Sequence, residues 1–336
     1  MATNKEAAAK LSAGERIKEW FSGLKLRSMG VLIALIVLVA FFSLMSHGRF
    51  LTTSNFLTVA RQVSIVTIVG IGITFVMIAA NIDLAVGSYL ALSGVFVAAM
   101  LYYGIPWYLA LILIMVFMAL VGMLIGVVVA KQKLSSLIVT LAMMGVARGI
   151  ALAYTGGKPI FIKNEAFISI GTGYLGPVPI PIVIAAFVLI AAQFVLKSTK
   201  FGRYVYAVGG NEEAAITSGI NVSRIKIAVF AISGMMTGLS GSILAGRLYS
   251  GNPTAGQGFE LDVISAVVIG GTSLFGGIGN MWGTLIGAFT VGIIGNGLTI
   301  LGVPYFYQLM AKGFIIYIAI AIDKQTREAG LHRLRV

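Results

Sequence analysis

The chain has 336 residues, of which 58% are apolar and only 10% are charged. A soluble domain carries about a quarter charged residues, so this composition excludes an ordinary soluble protein and indicates a membrane-embedded one. At about 20 apolar residues per crossing, the length allows about ten to twelve helices and leaves no room for a large soluble domain. The chain has no cysteine, which excludes a disulfide framework and thiolate chemistry.

The N-terminal segment, residues 1–28, is polar and rich in both signs of charge. Apolar residues recur in it at helical spacing, which predicts a short amphipathic helix on the membrane surface; they are Ile17, Trp20, Phe21 and Leu24. The apolar run that follows is long for a signal peptide, and no small-residue cleavage site comes after it. We therefore expect a first anchoring helix rather than a cleaved leader.

The apolar pattern predicts an all-α, polytopic membrane protein with about ten transmembrane helices between residues 29 and 323, followed by a basic tail, 324–336. The predicted crossings are 29–46, 64–80, 87–104, 107–130, 136–155, 180–196, 226–247, 262–275, 281–301 and 306–322. We expect the second and eighth to be short or broken, because they border acidic or Gly-rich stretches. A five-plus-five inverted repeat is a further expectation. It rests on Ile82-Asp83-Leu84 and Glu260-Leu261-Asp262, which each precede an apolar run of small residues.

Basic residues are distributed asymmetrically over this topology. With the N-terminus inside, 17 of the 24 Lys and Arg residues fall in inner segments and four in outer loops. Lys and Arg concentrate on the cytoplasmic side of membrane proteins, so both termini are predicted to be cytoplasmic. The net charge of +13 is explained in this way without a nucleic-acid partner.

Two connections are longer than a turn. Residues 156–179 carry many Gly and Pro residues, which predicts an outer loop. Residues 197–226 form a polar inner segment, in which Asn211 is a good N-cap, Glu212 and Glu213 suit a first helical turn, and Gly219 suits a C-terminal end. We expect this segment to form a short, exposed helix with a small-residue face. From the residues alone it is either an ordinary connection or a surface that enters a groove on a partner.

Enzymatic motifs are missing from the sequence. No Walker A motif is present, and the histidines are His47 and His332. Active sites need clusters of titratable groups, so we expect a protein that is not an enzyme and has no cofactor or metal.

The inner segment resembles a known motif. Glu213-Ala214-Ala215 followed by Gly219 resembles the EAA…G coupling motif of ATP-binding-cassette (ABC) importer permeases, and its surroundings resemble the ribose-type sugar permeases. The I-x-L-P ending of this motif in other permease classes is absent. Other segments similar to that family extend from about residue 29 to 323. They are Ser54-Asn55-Phe56-Leu57, 82–88, 140–144, Arg148-Gly149, Gly202-Arg203, Gly209-Gly210-Asn211-Glu212, 253–256, 260–262, 270–274 and Gly276-Gly277.

The resemblance implies a permease subunit that moves a monosaccharide, a ribose-like pentose or a hexose, across the bacterial inner membrane by alternating access. It implies a homodimer, a cytoplasmic ATPase with two nucleotide-binding cassettes, and a periplasmic sugar-binding protein as partners. Residues 209–220 would be the coupling helix, and the candidate coupling residues are Asn211, Glu212, Glu213, Ala214, Ala215 and Gly219.

Polar residues inside or beside the crossings are candidates for a translocation path. Asp83 either lines such a path or accepts hydrogen bonds from the broken helix at 86–88, because a carboxylate in a membrane needs a partner. Asn81, Asn280 and Asn296 either contact sugar hydroxyls or bond a neighbouring helix. Arg148 is expected to extend toward the interface. The candidates for docking an acidic binding protein are Arg49, Arg61, Lys158, Lys163 and Arg247.

Three other functions remain open from the sequence. A secondary transporter would need a coupling carboxylate near mid-membrane, for which Asp83 is the candidate. An ABC permease for nucleosides or another small polar solute would share the same motifs. A purely structural membrane scaffold is disfavoured by the specific inner helix.

Overall fold

The computed structural model describes residues 26–315, 317 and 321, with side chains from residue 33 onward. The predicted amphipathic helix within 1–28 and the basic tail 324–336 lie outside these residues, apart from the backbone of 26–28. The helices are α1 Leu26–Met45, α2 Thr53–Ile78, α3 Val86–Tyr102, α4 Trp107–Lys131, α5 Ser136–Thr155, α6 Glu165–Thr172, α7 Ile180–Ser198, α8 Lys200–Gly210, α9 Glu212–Thr217, α10 Val222–Arg247, α11 Phe259–Ile269 and α12 Met281–Ile300. Residues 305–315 are also helical and are called α13, and Arg49–Leu51 forms a 3-10 turn.

Six of these helices are long and apolar enough to cross a membrane: α2, α4, α5, α7, α10 and α12. A helix corresponds to each of the ten predicted crossings. The eighth, α11, has 11 residues and is short as expected. The expectation for the second was wrong, because α2 has 26 residues. Its first turns carry polar residues that hydropathy reads as a loop, and Thr52 caps them by accepting from the Asn55 N–H at 3.4 Å.

The core is built around α2 and α10. These two helices contribute an uninterrupted run of buried residues, 63–78, and most of 233–246. Glycines allow α10 to approach α4 closely: a Cβ at Gly234 would collide with the Met118 carbonyl oxygen, and one at Gly122 with that of Phe230. Small residues at helix contacts are a general device of membrane proteins, in which backbone proximity replaces hydrophobic driving force.

The segment 156–179 is not simply a loop. It contains α6 and a short antiparallel pair, β2 (Tyr174–Leu175) with β3 (Val178–Pro179), and its strand β1 (Ile160–Phe161) pairs with β4 (Ser250–Gly251), which follows α10. α6 packs closely on α10, because a Cβ at Gly171 would collide with the Arg247 backbone nitrogen. Because the segment is rich in Gly and Pro, the sequence predicted a loop where the structure has an eight-residue helix.

Two non-helical segments lie close together at the ends of core helices. Residues 79–85 join α2 to α3, and residues 270–280 join α11 to α12. The second segment turns at Gly271, Gly276 and Gly277, whose φ angles are 92°, 84° and 76°. The two segments meet where the Gly277 N–H donates to the Ile78 carbonyl at 2.9 Å.

Candidate functional site

The segment with the coupling-like motif forms two consecutive helices, α8 and α9. The Asn211 side chain accepts a hydrogen bond from the Ala214 N–H at 2.9 Å, which confirms the predicted N-cap of α9. Gly219 follows α9 with φ at 79°, a left-handed conformation suited to the residue after a helix. The prediction did not include α8, which buries Gly202, Val205, Val208 and Gly209.

The two alanines of the motif lie on different faces of α9. Ala214 is exposed, whereas Ala215 is 3% exposed and belongs to the chain's own core. The expected small-residue face is therefore wrong in part, because successive helical residues are rotated by about 100°. Glu213, Ala214 and Ile216 are exposed on α9, and Ile216 is 57% exposed. Ile216 is not among the residues predicted from the motif, although an apolar side chain in a polar, helical segment is a signal for it.

Glu212 bonds within the chain. The Lys226 ammonium donates to both carboxylate oxygens of Glu212, at 3.0 and 2.8 Å, and so joins α9 to α10. The Glu212 side chain is half exposed, and such pairs contribute little to stability. The pair therefore fixes one point of α9 against α10 and is expected to add little to the stability of the fold.

Asp83 is buried, with 1% exposure, in the segment between α2 and α3. One of its oxygens accepts from the Ala85 N–H at 3.0 Å and the other from the Ser233 hydroxyl at 2.9 Å. A buried carboxylate with such donors is stabilised locally. The geometry therefore supports the structural role of Asp83, linking the start of α3 to α10.

The three asparagine candidates do not meet Asp83 or one another through hydrogen bonds in the described residues. Asn81 is buried and donates to the Ala79 carbonyl at 2.7 Å. Asn280 is exposed and caps α12 by accepting from the Gly283 N–H at 2.6 Å. Asn296 exchanges two amide hydrogen bonds with Asn55, at 2.9 and 3.0 Å, and so joins α12 to α2.

Arg148 is held by backbone carbonyls of the chain itself. Its guanidinium donates to the carbonyls of Pro253, Ala255 and Gly87, at 2.6, 2.7 and 3.2 Å. It also interacts electrostatically with Glu260. Arg148 thereby ties α5 to the start of α3 and to the segment before α11, and only the three-dimensional arrangement of these carbonyls identifies it.

A second charged contact holds the first turn of α11. The ammonium of Lys312, in α13, lies 2.8 Å from the nearer Asp262 carboxylate oxygen, and both side chains are largely buried. Ionisable groups at membrane depth are costly unless they are paired. Asp262 and Lys312 meet this condition by pairing α11 with α13. Within the described residues, no group of three or more His, Cys, Asp or Glu side chains is arranged to hold a metal ion.

The five docking candidates separate into two kinds. Arg61 donates to the Thr172 carbonyl at 3.2 Å and lies 4.7 Å above the centre of the Tyr174 ring, so it fastens α2 to the end of α6. Arg247 is half-buried and close enough to Arg61 to interact electrostatically. Arg49, Lys158 and Lys163 are exposed. The structure thus brings Arg61 and Arg247 together and leaves the other three accessible.

A family of transport proteins matches most of the chain. The family described as branched-chain amino acid transport system / permease component matches residues 55–320. The chain therefore belongs to this permease family, and it is a multi-pass membrane protein. This confirms the permease class inferred from the residues around α9.

Individual sugar permeases are similar to the chain over most of its length. The chain is 46% identical to the ribose import permease protein RbsC of Haemophilus influenzae, over 87% of this chain and 91% of the relative. It is 43% identical to RbsC of Bacillus subtilis, over 89% and 94% of the two chains. It is 35% identical to the xylose transport system permease protein XylH of Escherichia coli, over 91% and 95%. No solved structure matches the chain.

Proposed function

We propose that this chain is the permease subunit of an ABC importer that carries a ribose-like monosaccharide across the bacterial inner membrane. The observation that carries the proposal is 46% identity to a ribose import permease over 87% of the chain. The capped, exposed helix α9 supports it, because an importer without its own nucleotide site needs a contact for an ATPase. The cargo could also be a related pentose, since a xylose permease is 35% identical.

The proposed assembly is a homodimer of ten-crossing subunits with cytoplasmic termini. A double-cassette ATPase binds at α9 on the cytoplasmic side, and a periplasmic sugar-binding protein delivers substrate on the other side. ATP binding and hydrolysis move α9, and the central path opens alternately to the two sides. No covalent chemistry occurs on the permease.

Uptake into liposomes tests this function against ion-coupled transport. The permease is reconstituted with its ATPase and binding protein, and labelled ribose and xylose are supplied in parallel. Uptake should require ATP hydrolysis and persist when proton and sodium gradients are collapsed. Uptake that survives blocked hydrolysis but fails without an ion gradient would establish the secondary transporter instead. The hydrogen bonds that Asp83 receives from Ser233 and Ala85 argue against a role for it as the ion-coupling group.

Cross-linking tests the contact between α9 and the ATPase. The chain has no native cysteine, so a single Glu213→Cys variant gives a unique thiol at an exposed position. It should cross-link to the ATPase subunit. Glu165→Cys is the matched control, because Glu165 is also an exposed acid in the first turn of a short helix. Cross-linking of the control and not of Glu213→Cys would contradict both the coupling role and the predicted sidedness.

Docking of the binding protein is assigned chiefly to the exposed cations Arg49, Lys158 and Lys163. Arg61 and Arg247 are secondary candidates, because Arg61 is engaged with Thr172 and Tyr174. Reversal of the three exposed charges should slow association with the binding protein and reduce its salt dependence. Unchanged association kinetics would remove them from the interface.

Four polar residues are candidates for lining the translocation path. Among Asn81, Asp83, Asn280 and Asn296, we infer that Asn280 is the best candidate for sugar contact, because its side chain is exposed. Asn280→Asp would keep an oxygen that can cap α12 while removing the amide donor. A raised sugar concentration for half-maximal uptake, with normal protein stability, would support the assignment. A scaffold role would leave this concentration unchanged.

A further inference from the structure

The helix before α9, α8, is joined to it through a single residue, Asn211. The Asn211 N–H donates to the Ala207 carbonyl at 3.1 Å and closes the end of α8, while its side chain caps α9. One residue thus serves both helices, and no flexible linker separates them. We therefore expect a displacement of α9 to move the end of α8 as well.

The C-terminal end of α8, beside Asn211, contacts two core segments at van der Waals distance. A Cβ at Gly209 would collide with the Ile78 carbonyl oxygen at the end of α2. A Cβ at Gly276 would lie 2.6 Å from both the Gly209 carbonyl oxygen and the Ala80 Cβ. Three segments, the ends of α2 and α8 and the turn at 276–279, consequently pack closely, because glycines at the contact leave no room for a further Cβ.

A single side-chain hydrogen bond joins α8 to this turn. The Tyr206 hydroxyl donates to the Gly279 carbonyl at 2.6 Å. Burial raises the pKa of Tyr206, so its hydroxyl stays protonated and remains a donor. Gly279 directly precedes Asn280, which caps α12, and Gly270 at the other end of the segment packs against Gly283 in α12. The turn is therefore part of the connection between α11 and α12 and lies next to the residue that caps α12.

We propose that Tyr206 is a positioning residue for transport, which transmits displacement of α8 and α9 to the connection between α11 and α12 through its hydrogen bond to Gly279. This inference rests on the proposed function, because it assumes that α9 is the part moved by an ATPase. The packed glycines keep the elements together, and the hydroxyl bond fixes their direction of movement. Loss of the bond should leave ATP hydrolysis intact and lower the amount of sugar moved per ATP.

The test compares Tyr206→Phe with Tyr204→Phe in the complete reconstituted transporter. Tyr206→Phe removes one oxygen and keeps the ring, so packing is preserved. Tyr204 is on the same helix and is 41% exposed, which makes Tyr204→Phe the matched control. The readouts are sugar uptake, ATP hydrolysis, thermal unfolding, and the cross-link from Glu213→Cys to the ATPase made in each background.

Tyr206→Phe should lower sugar uptake per ATP about fivefold, as loss of one directional hydrogen bond allows, while the cross-link and unfolding temperature stay normal. Tyr204→Phe should match the unmodified protein. If Tyr206→Phe shows a normal ratio of sugar uptake to ATP hydrolysis while the cross-link is present, the role of Tyr206 is overturned and the proposed function stands. An equal loss of this ratio in Tyr206→Phe and Tyr204→Phe has the same meaning. Absence of the cross-link in the otherwise unmodified Glu213→Cys protein overturns the α9 contact, and this inference with it.

Discussion

Two short helices outside the predicted crossings, α6 and α9, begin with the same local chemistry. Each has an Asn N-cap: Asn164 accepts from the Phe167 N–H and Asn211 from the Ala214 N–H, both at 2.9 Å. Each has acidic residues in its first turn, where the helix dipole favours them. Local sequence signals therefore do not distinguish the two helices.

The two helices differ in what they bury. α6 buries Phe167, Ile170 and Gly171 and lies against α10. α9 buries Ala215 and exposes Ile216. Capping thus makes a helix in both places, but packing makes α6 part of the scaffold and leaves the surface of α9 available to a partner. Four predictions test this difference.

The largest expected effect is on transport, at Gly219. Its φ is 79° and no atom lies near a built Cβ, so Gly219→Leu strains the end of α9 without a collision inside the chain. We expect uptake to fall more than about tenfold with normal membrane insertion, since left-handed backbone costs an L-residue about 1–2 kcal/mol. Gly176→Leu is the control, because Gly176 has φ at 61° and open surroundings in the segment 156–179. Substrate-stimulated ATPase activity at the normal level in Gly219→Leu would refute the coupling role.

The second-largest effect is expected on the free energy of unfolding, through a buried side chain of α6. Phe167 is fully buried, so Phe167→Ala should lower the free energy of unfolding by about 3–5 kcal/mol through a cavity and lost apolar contact. Ile216→Ala in α9 should change it by less than about 0.5 kcal/mol, as surface changes do, yet reduce uptake. Thermal unfolding of the purified variants measures both. Equal destabilisation would mean that α9 is scaffold like α6.

The two N-caps give a smaller, symmetrical effect. Asn164→Ala and Asn211→Ala each remove a hydrogen bond to a first-turn N–H and should each cost about 1 kcal/mol. Only Asn211→Ala is expected to impair uptake, because α9, and not α6, is the helix that we propose to contact the ATPase. Unfolding curves and uptake assays on the pair would expose a shared role if both variants lost transport.

The smallest effect is expected at the ion pair between α9 and α10. Glu212→Gln removes the charge that meets Lys226, and half-exposed pairs contribute about 0.2–1 kcal/mol. The loss should diminish as salt is raised, because screening weakens such pairs. A large, salt-independent loss of stability would show that Glu212 holds α9 in place more firmly than its exposure indicates.

Sequence reasoning succeeded where the signal is short-range. A helix was found for each predicted crossing, and Asn211 and Gly219 end α9 as expected from their residue types. The sequence did not predict helical structure where polar or Gly-rich residues interrupt the apolar pattern. The polar first turns of α2 pair Asn55 with Asn296 on another helix, and the Gly-rich surroundings of α6 disguised it.

The candidate site shows the same division at the level of side chains. The motif around Glu213 located the segment that we propose for coupling, but did not separate exposed Ala214 from buried Ala215. Arg148 carries no motif that announces its three carbonyl partners. Nor does the sequence around Tyr206 indicate that its hydroxyl reaches Gly279, 73 residues away.

The membrane class, the number of apolar segments and the capping of α9 follow from the residues alone. Composition, hydropathy and i-to-i+3 hydrogen bonds depend on neighbours in the chain, which the sequence contains explicitly. The hydrogen-bond partners of Asp83, Arg61 and Tyr206 depend on which distant parts of the chain come within about 3 Å of their polar atoms. That proximity is set by glycines that let helices touch, and it exists only once the helices are packed.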